Sequence, residues 1–264
     1  KNMIDVFGML EPNKIMFLVF LEDISNNTGS TYCLYKLGIV SINPINSFTP
    51  KTAKKAIKAI IIINFTRYKI PLSILLLGDN WHLKDKNKLN RFNTGFTFNR
   101  ELFYKPSEFT NYLHEGGIRL GVSLDPSEGI HPHEPRYDDF AKELGISDKQ
   151  IVPFNVFDER LIKAYLTYFI DPLYELGVDF FWINYRKLDD KISNNILNYY
   201  HFNDYKKFET LRPLILSRVS SYAPHKYPVH YSGETLVNWN TLKSLPYFNS
   251  TSSNLGLSWW SHDI

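Results

Sequence analysis

Short, continuous apolar segments alternate with longer amphipathic segments along most of the chain. The apolar segments are rich in β-branched and aromatic residues, a composition typical of strands. Because they are apolar without a two-residue alternation, they indicate a parallel sheet covered on both faces. The predicted strands are residues 73–77, 118–124, 178–183, 214–216, 229–231 and 257–260.

The amphipathic segments predict helices between these strands. Thr49-Pro50 supplies an N-cap and a first-turn proline for a helix over residues 51–68. A second helix, over residues 106–115, ends at Gly116-Gly117, and a longer one runs from Asp158 to Leu176 and ends at Gly177. A further helical segment separates the last two strands.

This alternation of strands and helices predicts a (β/α)₈ TIM-type barrel. No glycine-rich phosphate loop follows any of the strands, and this disfavours a nucleotide-binding sheet. In barrels the chemistry lies where the strands end, at their carboxyl ends. The segments of interest are therefore residues 78–82, 124–126, 184–186, 217–218, 232–235 and 261–263.

Composition excludes some classes of partner. The net charge of +3 is too small to indicate nucleic acid or an anionic membrane, and the apolar runs at residues 15–21 and 59–63 are too short to span a bilayer. Cys33 is the single cysteine, so no intrachain disulfide can form, and a cytosolic setting is slightly favoured. We expect no cofactor and no metal. Aromatic residues reach 16%, which fits either sugar-binding platforms or ordinary packing.

Several segments at these strand ends resemble glycoside hydrolase family 31, the α-glucosidase type. Gly177–Asn184, GVDFFWIN, is similar to the family's GVDFWWLD, and HKYPVHYSGET at residues 225–235 is similar to HRYPVGFSGDT. Four further segments occur in the family's order. They are GFTFNRELF (95–103), GIHPHEPRYDDFAKELG (129–145), RPLILSR (212–218) and WWSHDI (259–264).

The resemblance implies a glycosidase-like barrel over residues 35–264, and it leaves residues 1–34 without an assigned role. It also implies that the barrel is incomplete, because the match stops at the seventh strand and the eighth βα unit is missing. A seven-stranded parallel sheet would have unpaired edges on its first and last strands. Closure would then require another chain, or the barrel would tolerate a gap.

The family's two catalytic carboxylates fall on Asn184 and Glu234. In a retaining glycosidase one carboxylate attacks the anomeric carbon, and the other acts as acid and then base. Glu234 keeps a carboxyl group at the acid/base position. Asn184, at the nucleophile position, carries no charge and is a poor nucleophile.

Three aspartates are potential substitutes for the missing nucleophile. Asp179 lies on the same strand as Asn184, but alternation places it on the opposite face. Asp189 and Asp190 lie in the loop beyond the strand. We expect none of the three to rescue the reaction.

The resemblance also implies a set of substrate-binding residues: Asp79, Trp81, His82, Arg218, Trp259, His262 and Asp263. The segment LGDNWH departs from the family's LDMDWH, because Gly78 and Asn80 replace two aspartates. Packing inside the barrel is the alternative for the tryptophans, and mutual pairing is the alternative for Arg218 and Asp263. A metal cluster at His131, His133 and Glu134 is a weaker alternative for that loop.

The favoured function is a retaining α-glycosidase that acts on terminal α-linked sugars, with its activity impaired or lost at Asn184. A non-catalytic carbohydrate-binding or scaffold protein is the alternative, and a non-functional remnant is a third. Because several site positions depart from the family together, natural drift explains the sequence better than a single engineered substitution.

Overall fold

The computed structural model describes most of the chain from residue 72 onward, together with three short strands ahead of it. The described residues are 18–21, 35–36, 39–40, 72–78, 81–84, 94–185, 191–205, 213–218, 224–227, 229–233, 235–236, 238–257 and 259–262. The helix predicted over residues 51–68 lies outside them.

The described strands form one sheet in the order β2-β3-β1-β4-β5-β6-β7-β8-β9. Every neighbouring pair is parallel except β2 and β3, and the parallel run from β1 to β9 is the arrangement expected for part of a barrel. The strands are β1 Leu18–Leu21, β2 Tyr35–Lys36, β3 Ile39–Val40, β4 Ile74–Leu77, β5 Arg119–Leu124, β6 Phe180–Ile183, β7 Ile215–Arg218, β8 His230–Tyr231 and β9 Trp260–Ser261.

The first part of the sheet differs from the sequence-based expectation. A seven-stranded parallel sheet was expected, and the described part of the chain contributes nine strands. The apolar run at Leu18–Leu21 pairs in parallel with β4, so at least these residues ahead of position 35 belong to the sheet. Only two residues separate β2 from β3, and so short a connection permits antiparallel pairing alone. That the barrel lacks its eighth βα unit remains a prediction.

Helices connect the described strands. Helix α1 begins and ends where the proline at its start and the glycines at its end predict. None of the helices within the described residues is long and apolar enough to cross a bilayer. The helices are α1 Pro106–Glu115, α2 Tyr137–Leu144, α3 Glu159–Tyr165, α4 Asp171–Glu175, α5 Lys191–Tyr205 and α6 Trp239–Ser253, with short 3₁₀ turns at Pro126–Glu128 and Pro224–Lys226.

The helix predicted from Asp158 to Leu176 is present, but a π-helical turn at Leu166–Ile170 divides it into α3 and α4. Pro172 follows this turn, and its missing N–H removes one hydrogen bond from the regular helical ladder. Gly177 ends the segment with a φ of 92°, and a Cβ atom there would lie 2.8 Å from Thr110 Oγ1. Only glycine suits this position.

Alternate residues of the strands face two separate apolar cores. The outer core lies between the sheet and the helices, and it takes Leu75, Leu77 and Phe181 from the strands. The inner core lies on the other face of the sheet, which is the inside of the barrel, and it consists of Ile74, Leu76, Phe180, Trp182, Leu216, Val229 and Tyr231. A Cβ atom on Gly121 would overlap the Phe180 ring, so glycine makes room for this ring.

Candidate functional site

Asn184 follows β6 directly and is 1% exposed. Its backbone N–H donates to the Leu124 carbonyl at 2.8 Å, which continues the pairing of β5 with β6 beyond the last strand residue. Because Phe180 and Trp182 belong to the inner core, alternation places the Asn184 side chain on the same inner face. The residue therefore lies at the carboxyl end of the barrel, where chemistry is expected.

Arg218, the last residue of β7, binds the side chain of Asn184. Its Nε donates to Asn184 Oδ1 at 2.7 Å. A guanidinium group has donors and no acceptor, so the bond fixes the orientation of the amide, with its oxygen toward Arg218. The Nδ2 group of Asn184 remains, and it makes no hydrogen bond among the residues that the structure describes.

The contacts of Arg218 extend from Asn184 to a residue of β8. The guanidinium carbon of Arg218 lies 5.6 Å from the centre of the Tyr231 ring, a cation–π distance. Tyr231 in turn meets Trp182 edge to face, with the ring centres 5.7 Å apart. The inner face of β6, β7 and β8 therefore presents one connected group at its carboxyl end: Trp182, Asn184, Arg218 and Tyr231.

Polar side chains of α5 hold the end of β7 from behind. Asn194 Nδ2 donates to the Arg218 carbonyl at 2.8 Å, and Asn198 Nδ2 donates to Ser217 Oγ at 2.7 Å. Ser217 Oγ also donates to the Arg218 carbonyl at 2.8 Å. Sequence analysis missed these residues, although the spacing of four between Asn194 and Asn198, on one face of a helix, was a usable signal.

Tyr231 was also missed as a site residue. It ends a predicted strand, and it faces the same side as Val229 because strand side chains alternate. Alternation along the strand could therefore have predicted Tyr231 as a site residue, once the inward-facing residues of the strand were known.

Asp179 lies at the amino end of β6, about 16 Å from Asn184 along an extended strand. Its carboxylate accepts from Arg119 Nη1 at 2.8 Å and from the Leu120 N–H at 2.7 Å, and it lies 2.8 Å from His114 Nε2. These contacts occupy the carboxylate at the opposite end of the barrel. The expectation that Asp179 does not replace the nucleophile agrees with this placement.

Trp81 and His82 are both buried. Trp81 belongs to the outer core, its Nε1 donates to the Ser123 carbonyl at 2.8 Å, and its ring packs edge-on against Phe98. His82 pairs with Phe98 through an isolated β-bridge, and its Nδ1 lies 2.9 Å from the Leu83 carbonyl. Trp81 therefore packs in the outer core, on the opposite side of the sheet from the inner face that carries Asn184.

Trp259 and His262 take different sides of the last strand. Trp259 packs against the inner core that contains Tyr231. His262 stacks on Trp260 with ring centres 6.0 Å apart, and its two nitrogens lie 2.8 Å from Ser232 Oγ and 3.0 Å from Asn249 Oδ1. Partial burial lowers the pKa of His262, which favours the neutral ring. Trp259 is therefore on the side of the candidate site, whereas His262 contacts α6.

Other predicted site residues lie outside the described part of the chain. They are Asp79, Glu234 and Asp263, together with Asn80 and the potential substitutes Asp189 and Asp190. Pairing of Arg218 with Asp263 therefore stays open.

Glu134, the acidic member of the alternative metal cluster, has a packing role. Its two oxygens accept from the Phe96 N–H at 2.9 Å and from Thr97 Oγ1 at 2.6 Å. Burial raises the pKa of Glu134, and these two donors oppose that shift. No group of three or more metal-ligating side chains occurs within the described residues.

Comparison with known sequences identifies the fold around this site. Residues 51–264 match the glycosyl hydrolases family 31 TIM-barrel domain. The chain belongs to glycoside hydrolase family 31. A curated relative, an alpha-xylosidase of Saccharolobus solfataricus, is 22% identical over 228 residues, which cover 77% of this chain and 30% of the relative. The family 31 chain thus spans about a third of that relative's length.

Solved structures with the same fold are also family members or glucosidases. The GH31 alpha-xylosidase from Xanthomonas citri superposes with a TM-score of 0.60 at 14% identity, covering 82% of this chain and 26% of that one. The heterodimeric ER glucosidase II complex gives a TM-score of 0.62 at 12% identity, covering 94% and 28%. At these identities the likeness shows the shared barrel fold. The curved parallel sheet is accordingly part of a TIM barrel.

Proposed function

We propose that this family 31 barrel binds a terminal α-linked sugar at the carboxyl ends of β6, β7 and β8, and that its hydrolytic step is impaired. One observation carries the proposal: the residue that the family resemblance assigns to the nucleophile is a buried neutral amide, Asn184, whose oxygen accepts from Arg218 at 2.7 Å. The similarity to an alpha-xylosidase and to glucosidase II supports α-linked xylose or glucose as the sugar.

The inner face supplies the surfaces that a sugar ring requires. Tyr231 and Trp182 offer aromatic area, and Trp259 packs against the same core. The positively charged guanidinium group of Arg218 lies beside the Tyr231 ring. Binding sites for small ligands combine apolar lining with a few placed polar groups, and this layer has both.

The chemistry at Asn184 explains the expected loss of turnover. A retaining glycosidase forms a covalent bond between its carboxylate and the anomeric carbon. An amide is a poor nucleophile and brings no negative charge to the oxocarbenium-like transition state. The loss amounts to roughly 5 kcal/mol or more of barrier, several powers of ten in rate.

The surroundings of Asn184 still suit a carboxylate. Aspartate has the same shape as asparagine, and Arg218 already donates to the oxygen at this position. A carboxylate there would gain a charge-assisted hydrogen bond, which is stronger than the present one. Glu234, proposed as the acid/base, would complete the pair.

Hydrolysis of aryl α-glucosides and aryl α-xylosides tests the proposal. The native chain is compared with Asn184→Asp and with Asn111→Asp, a control that adds the same charge on the exposed face of α1. We expect Asn184→Asp to raise turnover by about a thousandfold or more, and the control to change nothing.

Two results would redirect the proposal. If the native chain already hydrolyses these substrates as fast as Asn184→Asp does, another carboxylate serves as nucleophile and impairment is wrong. If both folded proteins bind sugar without turnover, the second candidate function holds, a non-catalytic carbohydrate-binding barrel, which the neutral Asn184 also favours. Absence of sugar binding by calorimetry would remove both functions.

A partner polypeptide that completes the barrel is a further part of the proposal. Among the described strands β9 is an end strand, and helix α6 ahead of it exposes Trp239, Leu242 and Tyr247. Apolar side chains beside a strand edge form a surface against which a further βα unit would pack. Light scattering tests a second copy as this partner, and a monomer at every concentration argues against it.

A further inference from the structure

The amide of Asn184 has a defined polarity. Arg218 Nε can only donate, so the atom of Asn184 that it meets at 2.7 Å is the carbonyl oxygen. The NH₂ group is left over, and within the described residues it has no hydrogen-bond partner, although the residue is 99% buried. An amide N–H without a partner in the protein can donate to an acceptor on a ligand.

Residue 184 therefore favours a different kind of ligand atom from the one that an aspartate would favour. A carboxylate at residue 184 would present negative charge and acceptors to a sugar. Asn184 carries no charge, and because its carbonyl oxygen faces Arg218, its NH₂ group is left to donate. A ligand atom at the anomeric carbon therefore meets the N–H donors of Asn184 in this chain. In a family member with aspartate at this position, the same atom would meet a carboxylate, which accepts.

We infer that the candidate site at the carboxyl ends of β6 and β7 selects uncharged sugar-ring ligands that carry a hydrogen-bond acceptor at the anomeric carbon, and that it discriminates against ring amines in their protonated form. The inference rests on the proposed function, since it assigns the ligand chemistry of the same site. It concerns binding and includes no covalent step.

The physical basis is the match of donors and acceptors in a buried place. A protonated ring amine brings N–H donors toward the amide N–H donors of Asn184, and residue 184 contributes no charge to compensate the ammonium. A lactam of the same sugar brings a carbonyl oxygen at carbon 1, which accepts from Asn184 Nδ2. Hydrogen bonds that involve a charged group are worth more than neutral ones, so restoring a carboxylate should favour the amine strongly.

Calorimetric titration with matched ligands tests this. The probes are 1-deoxynojirimycin, a ring amine with the glucose configuration, and the δ-lactam of the same configuration, together with the corresponding pair in the xylose configuration. The proteins are the native chain, Asn184→Asp and the exposed control Asn111→Asp. We expect the native chain to bind the lactam more tightly than the amine. The Asn184→Asp substitution should shift the ratio of the two dissociation constants by about 10- to 100-fold toward the amine, and the control should leave it unchanged.

The outcomes separate the inference from the proposed function. If the native chain binds the sugar but prefers the amine, and Asn184→Asp leaves the ratio within twofold, the ligand assignment is overturned while sugar binding stands. If no variant binds either ligand or the free sugar, the proposed function fails and the assignment fails with it.

A second measurement covers the case in which Asn184→Asp does not fold. The affinity of the native chain for the amine is followed as pH rises through the ligand's own pKa, with the uncharged lactam as the reference. A rise in amine affinity relative to the lactam, as the ammonium loses its proton and gains a lone pair, supports the donor role of Asn184. A fall overturns it.

Discussion

The two ends of β6 hold buried polar side chains of nearly the same size, and their surroundings differ. At the amino end the carboxylate of Asp179 meets a guanidinium, an imidazole and a backbone N–H, each within 2.8 Å. At the carboxyl end the amide of Asn184 has one partner, Arg218, and an amino group without one among the described residues.

The chain has a buried carboxylate at the amino end of β6 and an uncharged amide at the carboxyl end. A buried carboxylate is tolerated at the amino end because fixed donors compensate it. At the carboxyl end the position proposed for the nucleophile holds an uncharged amide, and the amide oxygen faces Arg218. The two ends therefore match the general division of barrels into a stabilising face and a reactive face.

The largest effect is expected from Asp179→Asn. The substitution removes the charge that compensates Arg119 and turns one acceptor into a donor facing existing donors. We expect a loss of about 3 kcal/mol in the free energy of unfolding, with sugar affinity unchanged. Urea unfolding measures the first quantity and calorimetry the second.

The matched control for Asp179 is Asp138→Asn, which removes an exposed carboxylate paired with Lys149 at 2.9 Å. It should cost about 0.5 kcal/mol or less. If Asp179→Asn were as mild as this control, the amino end of β6 would not have the stabilising role that the comparison gives it.

The dependence of stability on pH tests the middle of β6, where Phe181 packs against His201. The ring of His201 on α5 lies 5.6 Å from Phe181, and burial lowers the pKa of His201 from 6.5 to about 3. The unfolded chain therefore binds a proton below pH 6.5 that the folded chain refuses, and stability falls with pH through this window. We expect about 2 kcal/mol of loss by about pH 5.

Unfolding midpoints measured between neutral pH and about pH 5, for the native chain and for His201→Gln, check this expectation. Glutamine does not titrate, so the variant should lose the part of the pH slope that His201 supplies. Equal slopes in the two proteins would locate the acid sensitivity elsewhere.

A smaller effect is expected from Arg218→Lys. Lysine keeps the positive charge but lacks the Nε donor that fixes the Asn184 amide. We expect the affinity for the sugar lactam to fall about tenfold, because the amide is released from its orientation, while the free energy of unfolding changes by less than about 1 kcal/mol.

Arg136→Lys, at an exposed arginine ahead of α2, is the control for this exchange. Equal affinities in the Arg218 and Arg136 variants would mean that Arg218 does not orient Asn184 for the ligand.

The smallest effect is the stability change of Asn184→Asp. The new carboxylate gains an ion pair with Arg218, and this gain offsets the cost of burying the charge. We expect the free energy of unfolding to stay within about 1 kcal/mol of the native value, although turnover rises by powers of ten. A loss as large as that of Asp179→Asn, measured by the same urea titration, would abolish the distinction between the two ends.

Much of the fold could be predicted from sequence where the signal is local. Continuous apolar runs located β4 to β8 within about two residues, and Pro106 with Gly116-Gly117 fixed both ends of α1. Leu18–Leu21 lies within the apolar run at residues 15–21, and it was missed as a strand because no amphipathic segment follows that run in the sequence. The π turn before Pro172 was missed because one extra residue in a helical turn hardly changes the apolar pattern.

Some residues of the candidate site could likewise be named from sequence, and the roles of others could not. The motif order was enough to name Asn184 and Arg218, because the resemblance assigns each position separately. The role of Trp81 could not be predicted from sequence, since a tryptophan three residues beyond the strand-end Gly78 can face the sugar or the outer core. Here its Nε1–H finds the Ser123 carbonyl in the outer core.

The sequence by itself determined the alternation of buried strands and helices, membership of the barrel family and the neutral residue at the position proposed for the nucleophile. These properties are written in composition and order along the chain. Only the tertiary structure decided that Asp179 is enclosed by three donors, that Arg218 turns the Asn184 amide and that His262 faces α6. Such contacts join residues far apart in sequence, and their polarity depends on which face of a strand each side chain takes.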